Sequence, residues 1–170
     1  MAWLDGRDPY GNPLPAPSVG GVIAVPYGDY LGSADADGTQ TYMTKEENGE
    51  LVWDLIGPFA SLNQNGTEVG HHDVGPVWKC WDDRSEVWGE KIDPGEDHGP
   101  DNLKWLLLKA VSTTGGVMGQ VQFIQRVNTS GGVPPEPPKS SAETASPTYS
   151  AIYHFWGVVP APPDPADSSS

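Results

Sequence analysis

Residues 69–81, read V-G-H-H-D-V-G-P-V-W-K-C-W, gather His71, His72, Asp73 and Cys80 into one hairpin-sized segment. Imidazole, carboxylate and thiolate are the side chains that ligate zinc or move protons. On an extended chain successive side chains alternate, so His71 and Asp73 share a face while His72 points the other way. Convergence is therefore partial. No C-x-x-C or H-x-x-x-H spacing accompanies the set, and no metal site is assigned. Solvated histidines on a strand-to-turn segment satisfy the same pattern.

Arg126 is the sharpest single position. It lies in V-Q-F-I-Q-R-V-N-T-S-G-G, residues 121–132, where a strand carries a guanidinium among apolar neighbours. Val121, Phe123 and Val127 fall on one face at period two, and Gln122, Ile124 and Arg126 on the other, with residues 128–132 unable to extend the strand. A buried arginine needs carboxylate or carbonyl partners to offset desolvation. One reading is a structural network with Gln125, Asn128 and a nearby acid. The other is a planar fork that grips a ligand carboxylate, which requires a cavity.

Seven tryptophans are many for this length, and Trp78, Trp81 and Trp88 surround Asp82, Asp83 and Glu86. Exposed aromatics beside carboxylates stack on sugar rings and hydrogen-bond their hydroxyls; alternate tryptophans of a core give the same string. Carboxylate pairs for glycoside hydrolysis can be drawn from Asp54, Asp73, Asp82, Asp83 and Glu86. With 23 acidic residues, some pair falls at any chosen separation, so their presence carries no weight. There is no G-x-S-x-G, no G-x-x-x-x-G-K-[ST] and no G-x-G-x-x-G after a strand, so nucleotide chemistry is disfavoured and no cofactor is expected.

These residues must be held by short strands. Candidates fall at residues 22–25, 30–34, 39–44, 50–56, 67–72, 77–81, 85–88, 104–111, 120–127 and 149–156. Asp37-Gly38, Asn48-Gly49, Asn65-Gly66 and Gly115-Gly116 are dipeptides that accept the positive φ of hairpin turns. In the last strand Tyr149, Tyr153 and Phe155 oppose Ile152, His154 and Trp156. Neither face should then be wet, and Tyr153 joins the candidate ligand-binding residues. The expected fold is all-β, a single-domain antiparallel β-sandwich or closed β-barrel with long Pro-rich loops and extended termini. No fixed-period repeat supports a propeller or solenoid.

The 170 residues suit one domain, and 21 glycines and 18 prolines with 19% charged residues fit short elements joined by tight turns. Residues 1–20 read as an extended Pro/Gly-rich arm, 21–159 as the β domain and 160–170 as a Pro/Ser-rich tail; 133–147 is a long proline-rich surface loop. The net charge of -14 repels nucleic acid and anionic membrane surfaces. No apolar run approaches the roughly 20 residues of a membrane span. The first ten residues show no secretory signal. Cys80 is the lone cysteine, so no internal disulfide can form. Asn65-Gly66-Thr67 and Asn128-Thr129-Ser130 are glycosylation triplets that matter only for an exported chain.

Several motifs occur in order: Val25-Pro26-x-Gly28, Ala36-x-Gly38-x-Gln40-x-Tyr42, Val69-Gly70-x-His72-x-x-Gly75-Pro76-x-Trp78, W-L-L-L at 105–108, I-Q-R-V-N-T-x-G-G at 124–132 and Y-S-A at 149–151. Together, over residues 25–156, they resemble the DUF3455 family of mostly secreted proteins without an established function. The resemblance implies a shared fold and a retained role for His72, which a buried imidazole bonded to a loop carbonyl would fill as well as a catalytic one. It also implies export. Family members commonly carry two cysteines where this chain has Met43 and the neighbourhood of Lys139, and that departure leaves the compartment open.

Two functions are compatible with these readings. The first is a non-catalytic β module that binds a small apolar or carbohydrate ligand or a protein surface. It would self-assemble into a homo-oligomer or filament if its extended arms lie along neighbouring subunits. The second is a small barrel enzyme of isomerase or cyclase type, with Trp and Tyr lining a cavity and His72 or Arg126 polarising the substrate.

Overall fold

The computed structural model describes residues 3–134 and 136–161; the tail assigned to residues 160–170 thus lies mostly outside the described residues. Asn48-Gly49 and Asn65-Gly66 have φ of 52° and 80°, and of 52° and 81°. Consecutive positive φ values match the turn twist to that of the flanking strands. The first turn joins β1 (Asp29–Glu47) to β2 (Glu50–Gln64), and the second joins β2 to β3 (Thr67–Asp73). The chain continues through β4 (Val77–Cys80), β5 (Glu86–Lys91), β6 (Leu106–Thr113), β7 (Val121–Gly131), the short β8 (Thr144–Ala145) and β9 (Thr148–Gly157).

From β1 to β7 each strand pairs antiparallel with the next, β7 then pairs with β9, and β9 closes on β1. The result is a closed eight-stranded up-and-down barrel, with β8 an extra strand against the far half of β1. Of the two architectures expected, the barrel is the one formed. No helix among the described residues is long and apolar enough to cross a membrane.

Residues 30–34 and 39–44 belong to one 19-residue strand, β1. Asp37-Gly38 is therefore no turn. Gly38 sits where a Cβ would lie 2.0 Å from the Phe59 carbonyl oxygen of β2, so glycine there serves close approach of two backbones. Residues 22–25 are likewise no strand: Gly21–Ile23 is a 3-10 turn that buries Ile23. Residues 128–132 were expected to end β7, yet the strand runs on to Gly131 across a bulge, with Asn128 at φ 49°. A second bulge between Val121 and Phe123 breaks the expected period. Val121 joins the barrel interior, whereas Phe123 and Val127 pack outside it.

The interior core includes Leu31, Ala34, Leu62, Cys80, Val87, Ile124 and Phe155. One end of the barrel is stoppered. Trp3 meets Phe155 edge-on at 5.4 Å, Leu4 is fully buried, and Met118 from the 3-10 turn before β7 fills the same cluster. The N-terminal segment thus packs on its own barrel. Outside, Ile23 lies with Leu107, Phe123 and Val127. Gln125 faces this way too, donating from Nε2 to the Ile23 carbonyl at 2.8 Å and accepting from Trp156 Nε1 at 2.8 Å.

Candidate functional site

The opposite end of the barrel opens into a cavity of about 750 Å³. Its walls come from inward positions of β1 (Gln40, Tyr42), β2 (Pro58), β3 (His72), β4 (Trp78), β6 (Leu106, Leu108), β7 (Arg126) and β9 (Tyr153). These positions alternate with outward ones, which is why a single period-two reading of each strand decides who enters the site. The loop 92–105 lies over the mouth, contributing Asp97, Asn102, Leu103 and Lys104. It is fastened to β7: Leu103 N–H donates to the Gly131 carbonyl at 3.0 Å, and Asn102 Oδ1 accepts from Gly131 N–H at 3.0 Å. His98 stacks on Trp105 at 3.6 Å within the loop.

His72, Trp78 and Tyr153 meet as three rings. His72 and Trp78 are directly opposed across β3 and β4, and Tyr153 stands edge-on to both, at 4.9 and 5.6 Å. Gly89 on β5 makes room for this arrangement, since a Cβ there would lie 2.8 Å from the Trp78 ring. His72 Nδ1–H donates to the Val77 carbonyl at 2.9 Å, which fixes the tautomer and leaves the lone pair on Nε2. Burial pushes its pKa down to about 3, against the Val77 bond that favours the charged ring; the Arg126 charge adds to the depression. The imidazole is neutral at ordinary pH.

Behind the wall, two polar atoms have no partner among the described residues. Trp78 Nε1 and Gln40 Oε1 are buried and unbonded, and both residues line the cavity. Leaving such an atom unpaired costs about 1–3 kcal/mol. The hydroxyls nearby are better served: Tyr42 donates to the Gly132 carbonyl at 2.7 Å, and Tyr149 and Tyr153 share a 3.2 Å hydrogen bond. Burial raises the pKa of all three tyrosines, with the Arg126 charge opposing it in each case.

Arg126 enters the cavity half-buried, opposite Tyr153 across β7 and β9. Its Nε donates to the Lys104 carbonyl at 2.9 Å. The expected network with Gln125, Asn128 and an acid does not form. Gln125 faces the outer cluster because it is one residue away on a strand, and Asn128 lies past the bulge, exposed. Lys91 and Lys104 also line the cavity. Among the described residues, none of these three cations lies within 4.0 Å of a carboxylate oxygen.

The structure separates other residues that the sequence grouped. Trp78 points inward, but Trp81 and Trp88 are exposed on the outside, 47% and 39% accessible. Trp81 lies past the Cys80 end of β4, and Trp88 pairs opposite Val77 at the other end. The three-tryptophan sugar platform is not assembled. Trp81 instead stacks on His71 at 6.1 Å and donates from Nε1 to Glu68. His71 bonds Asp73 at 2.7 Å and Lys79 pairs with Asp73 at 3.3 Å, all on the outer face. Cys80 is buried inside the barrel. Among the described residues no three His, Cys, Asp or Glu side chains converge to hold a metal ion.

Gln40, Tyr42, Lys91 and Lys104 were not among the candidates read from sequence. Gln40 and Tyr42 carried a usable signal, since Ala34, Ala36, Gly38, Gln40 and Tyr42 form one period-two face. Lys91 and Lys104 carried none.

Fold and site together define an up-and-down antiparallel barrel, stoppered at one end, with an internal cavity at the other. The chain belongs to the DUF3455 family, described as a protein of unknown function, whose sequence profile matches residues 28–157. No curated protein matches the chain, and neither does a solved structure.

Proposed function

We propose that this protein is a non-catalytic ligand-binding barrel that takes one largely apolar organic molecule into its cavity. The observation that carries the reading is the cavity itself, about 750 Å³ at the open end of the barrel, walled by Pro58, Leu103, Leu106 and Leu108 with Tyr42 and Arg126 among them. Small-molecule pockets run from roughly 300 to 1,000 Å³, mostly apolar with a few placed polar groups. Leu55, Ile56 and Val74 extend apolar surface outward along the rim.

Binding is favoured over the isomerase or cyclase alternative by the state of the titratable groups. His72 is held neutral with a pKa near 3, and burial raises Tyr42, Tyr149 and Tyr153. A general acid or base works best with a pKa near the operating pH. The arms also bear on assembly: Leu4 and Ile23 are buried against the chain's own barrel, which supports an N-terminal segment used internally.

The test is titration with N-phenyl-1-naphthylamine, a neutral probe whose fluorescence rises in apolar surroundings. One saturable site is expected. Leu106→Trp, which fills the cavity, should weaken it by about tenfold or more with unchanged circular dichroism. Absence of a saturable site, or indifference to the filling substitution, overturns the reading.

A further inference from the structure

We infer that the ligand is an amphipathic monocarboxylic acid, its carboxylate held by Arg126 and its apolar body running along the barrel wall. This inference rests on the ligand-binding reading and names the chemical class that the cavity selects. Its basis is the distribution of charge. The chain has nine Lys and Arg against 23 Asp and Glu, yet the cavity is lined by three cations, Lys91, Lys104 and Arg126, and one acid, Asp97. In a molecule of net charge -14, a cavity whose charged lining, among the described residues, is three cations to one acid runs against the overall composition. Asp97 is itself occupied in the loop, its Oδ1 accepting from Gly99 N–H at 2.9 Å.

Arg126 is the deepest of the three cations. It opposes Tyr153 on the neighbouring strand, and its charge reaches His72, Tyr42 and Tyr149. Its Nε donates to the Lys104 carbonyl, and the guanidinium stands close enough to the Tyr153 hydroxyl to oppose the rise in that group's pKa through a hydrogen bond. A guanidinium carries five N–H donors in a planar fork that fits a carboxylate through two parallel bonds. Among the described residues no carboxylate oxygen lies within 4.0 Å of Arg126, and the residue lines the cavity, so the fork can serve a ligand.

The alternatives fit less well. A structural arginine is expected to meet an acid or several carbonyls; among the described residues this one meets one carbonyl and a tyrosine hydroxyl, neither of them charged. A neutral ligand would leave the guanidinium without a counter-charge in an enclosed space. A sugar would require more of the wall to be polar than Leu106, Leu108, Pro58 and the rim residues allow. Lys91 and Lys104 at the mouth attract an anion on approach, a contribution that salt screens.

The experiment displaces bound N-phenyl-1-naphthylamine with dodecanoate and, separately, with dodecanol, which shares the chain length and lacks the charge. In the wild-type protein dodecanoate should compete about tenfold or more strongly than dodecanol, a ratio worth about 1.4 kcal/mol. In Arg126→Gln that ratio should fall to near one, and Arg126→Lys should retain part of it because the charge remains while the fork is lost. If the probe binds but acid and alcohol compete equally in the wild type, the carboxylate assignment is wrong and the cavity reading survives. An acid preference that persists undiminished in Arg126→Gln also overturns the assignment. If the probe itself finds no site, the ligand-binding reading fails first. If the Arg126 variants do not fold, the wild-type ratio still decides between an acid and a neutral ligand.

Discussion

His72 lies flat on Trp78, with ring centroids 4.3 Å apart and planes 16° from parallel. The pair joins β3 to β4 from inside the barrel, and the ring nitrogen that faces away from the lone pair is tied to the Val77 backbone. Loss of the imidazole removes a buried aromatic contact and leaves a carbonyl unpaired. His72→Ala should therefore destabilise the fold by on the order of 3 kcal/mol. Thermal melting measures it; an unchanged melt would place His72 outside the structural core.

The same residue sets a pH dependence. Its folded pKa, near 3, is well below the ordinary value of 6.5. As pH drops through 6.5 the unfolded chain takes up a proton that the folded chain refuses until about pH 3. Stability should thus fall on acidification across that window, by up to about 1.4 kcal/mol per pH unit, and be unaffected by this group above it. Asp83 acts lower down. Burial would raise its pKa, but hydrogen bonds from Ser85 and the Val117 N–H bring it to about 2, so its contribution is lost as pH falls through that value. Urea midpoints from pH 7 to 4 for wild type and His72→Asn separate the two, since only the wild type should show the steeper slope.

Gly89 governs the shape of the cavity through Trp78. A methyl group there meets the indole at 2.8 Å, and the ring it would displace lines the cavity. Gly89→Ala is expected to lose about 1–3 kcal/mol and to weaken N-phenyl-1-naphthylamine binding. A variant that binds the probe as tightly as wild type would show that Trp78 does not shape the site.

The stopper should be energetically real. Leu4 is 1% accessible beneath the barrel, and Leu4→Ala should cost about 2–5 kcal/mol. Chemical denaturation checks this, and a loss under 1 kcal/mol would mean that the N-terminal segment rests on the barrel without supporting it.

Trp81 and Trp88, outside the barrel, should leave the cavity untouched. Probe affinity in Trp81→Ala and Trp88→Ala is expected to stay within about twofold of wild type, because neither ring lines the cavity. A tenfold loss in either would tie the outer face to the site.

Much of the barrel could be read from local chemistry. The Asn48-Gly49 and Asn65-Gly66 turns are set by residues that tolerate positive φ, and the two-faced aromatic pattern of β9 demanded cover on both sides. Asp37-Gly38 misled because a glycine that admits a neighbouring backbone looks the same, in one dimension, as a glycine that turns. The spacing of three between Trp78 and Trp81 already placed them on opposite faces, so their grouping failed on parity. Arg126 and Gln125 were divided by the same rule. Lys91 and Lys104 are different: they flank the connection between β5 and β6, and the pairing of those strands with the Glu96–Trp105 bridge brings them to one cavity.

Closure itself has a temporal consequence. Residues 29–39 of β1 find their partner in residues 148–157 of β9, more than a hundred positions later. During synthesis β1 and β7 must therefore wait as open edges until β9 leaves the ribosome, and the ring can close only then. Topologies dominated by such distant pairings fold slowly and are exposed to aggregation meanwhile. A nascent chain arrested before residue 148 should be a client for chaperones, whereas the released protein, with its ring complete, presents no barrel edge to capture.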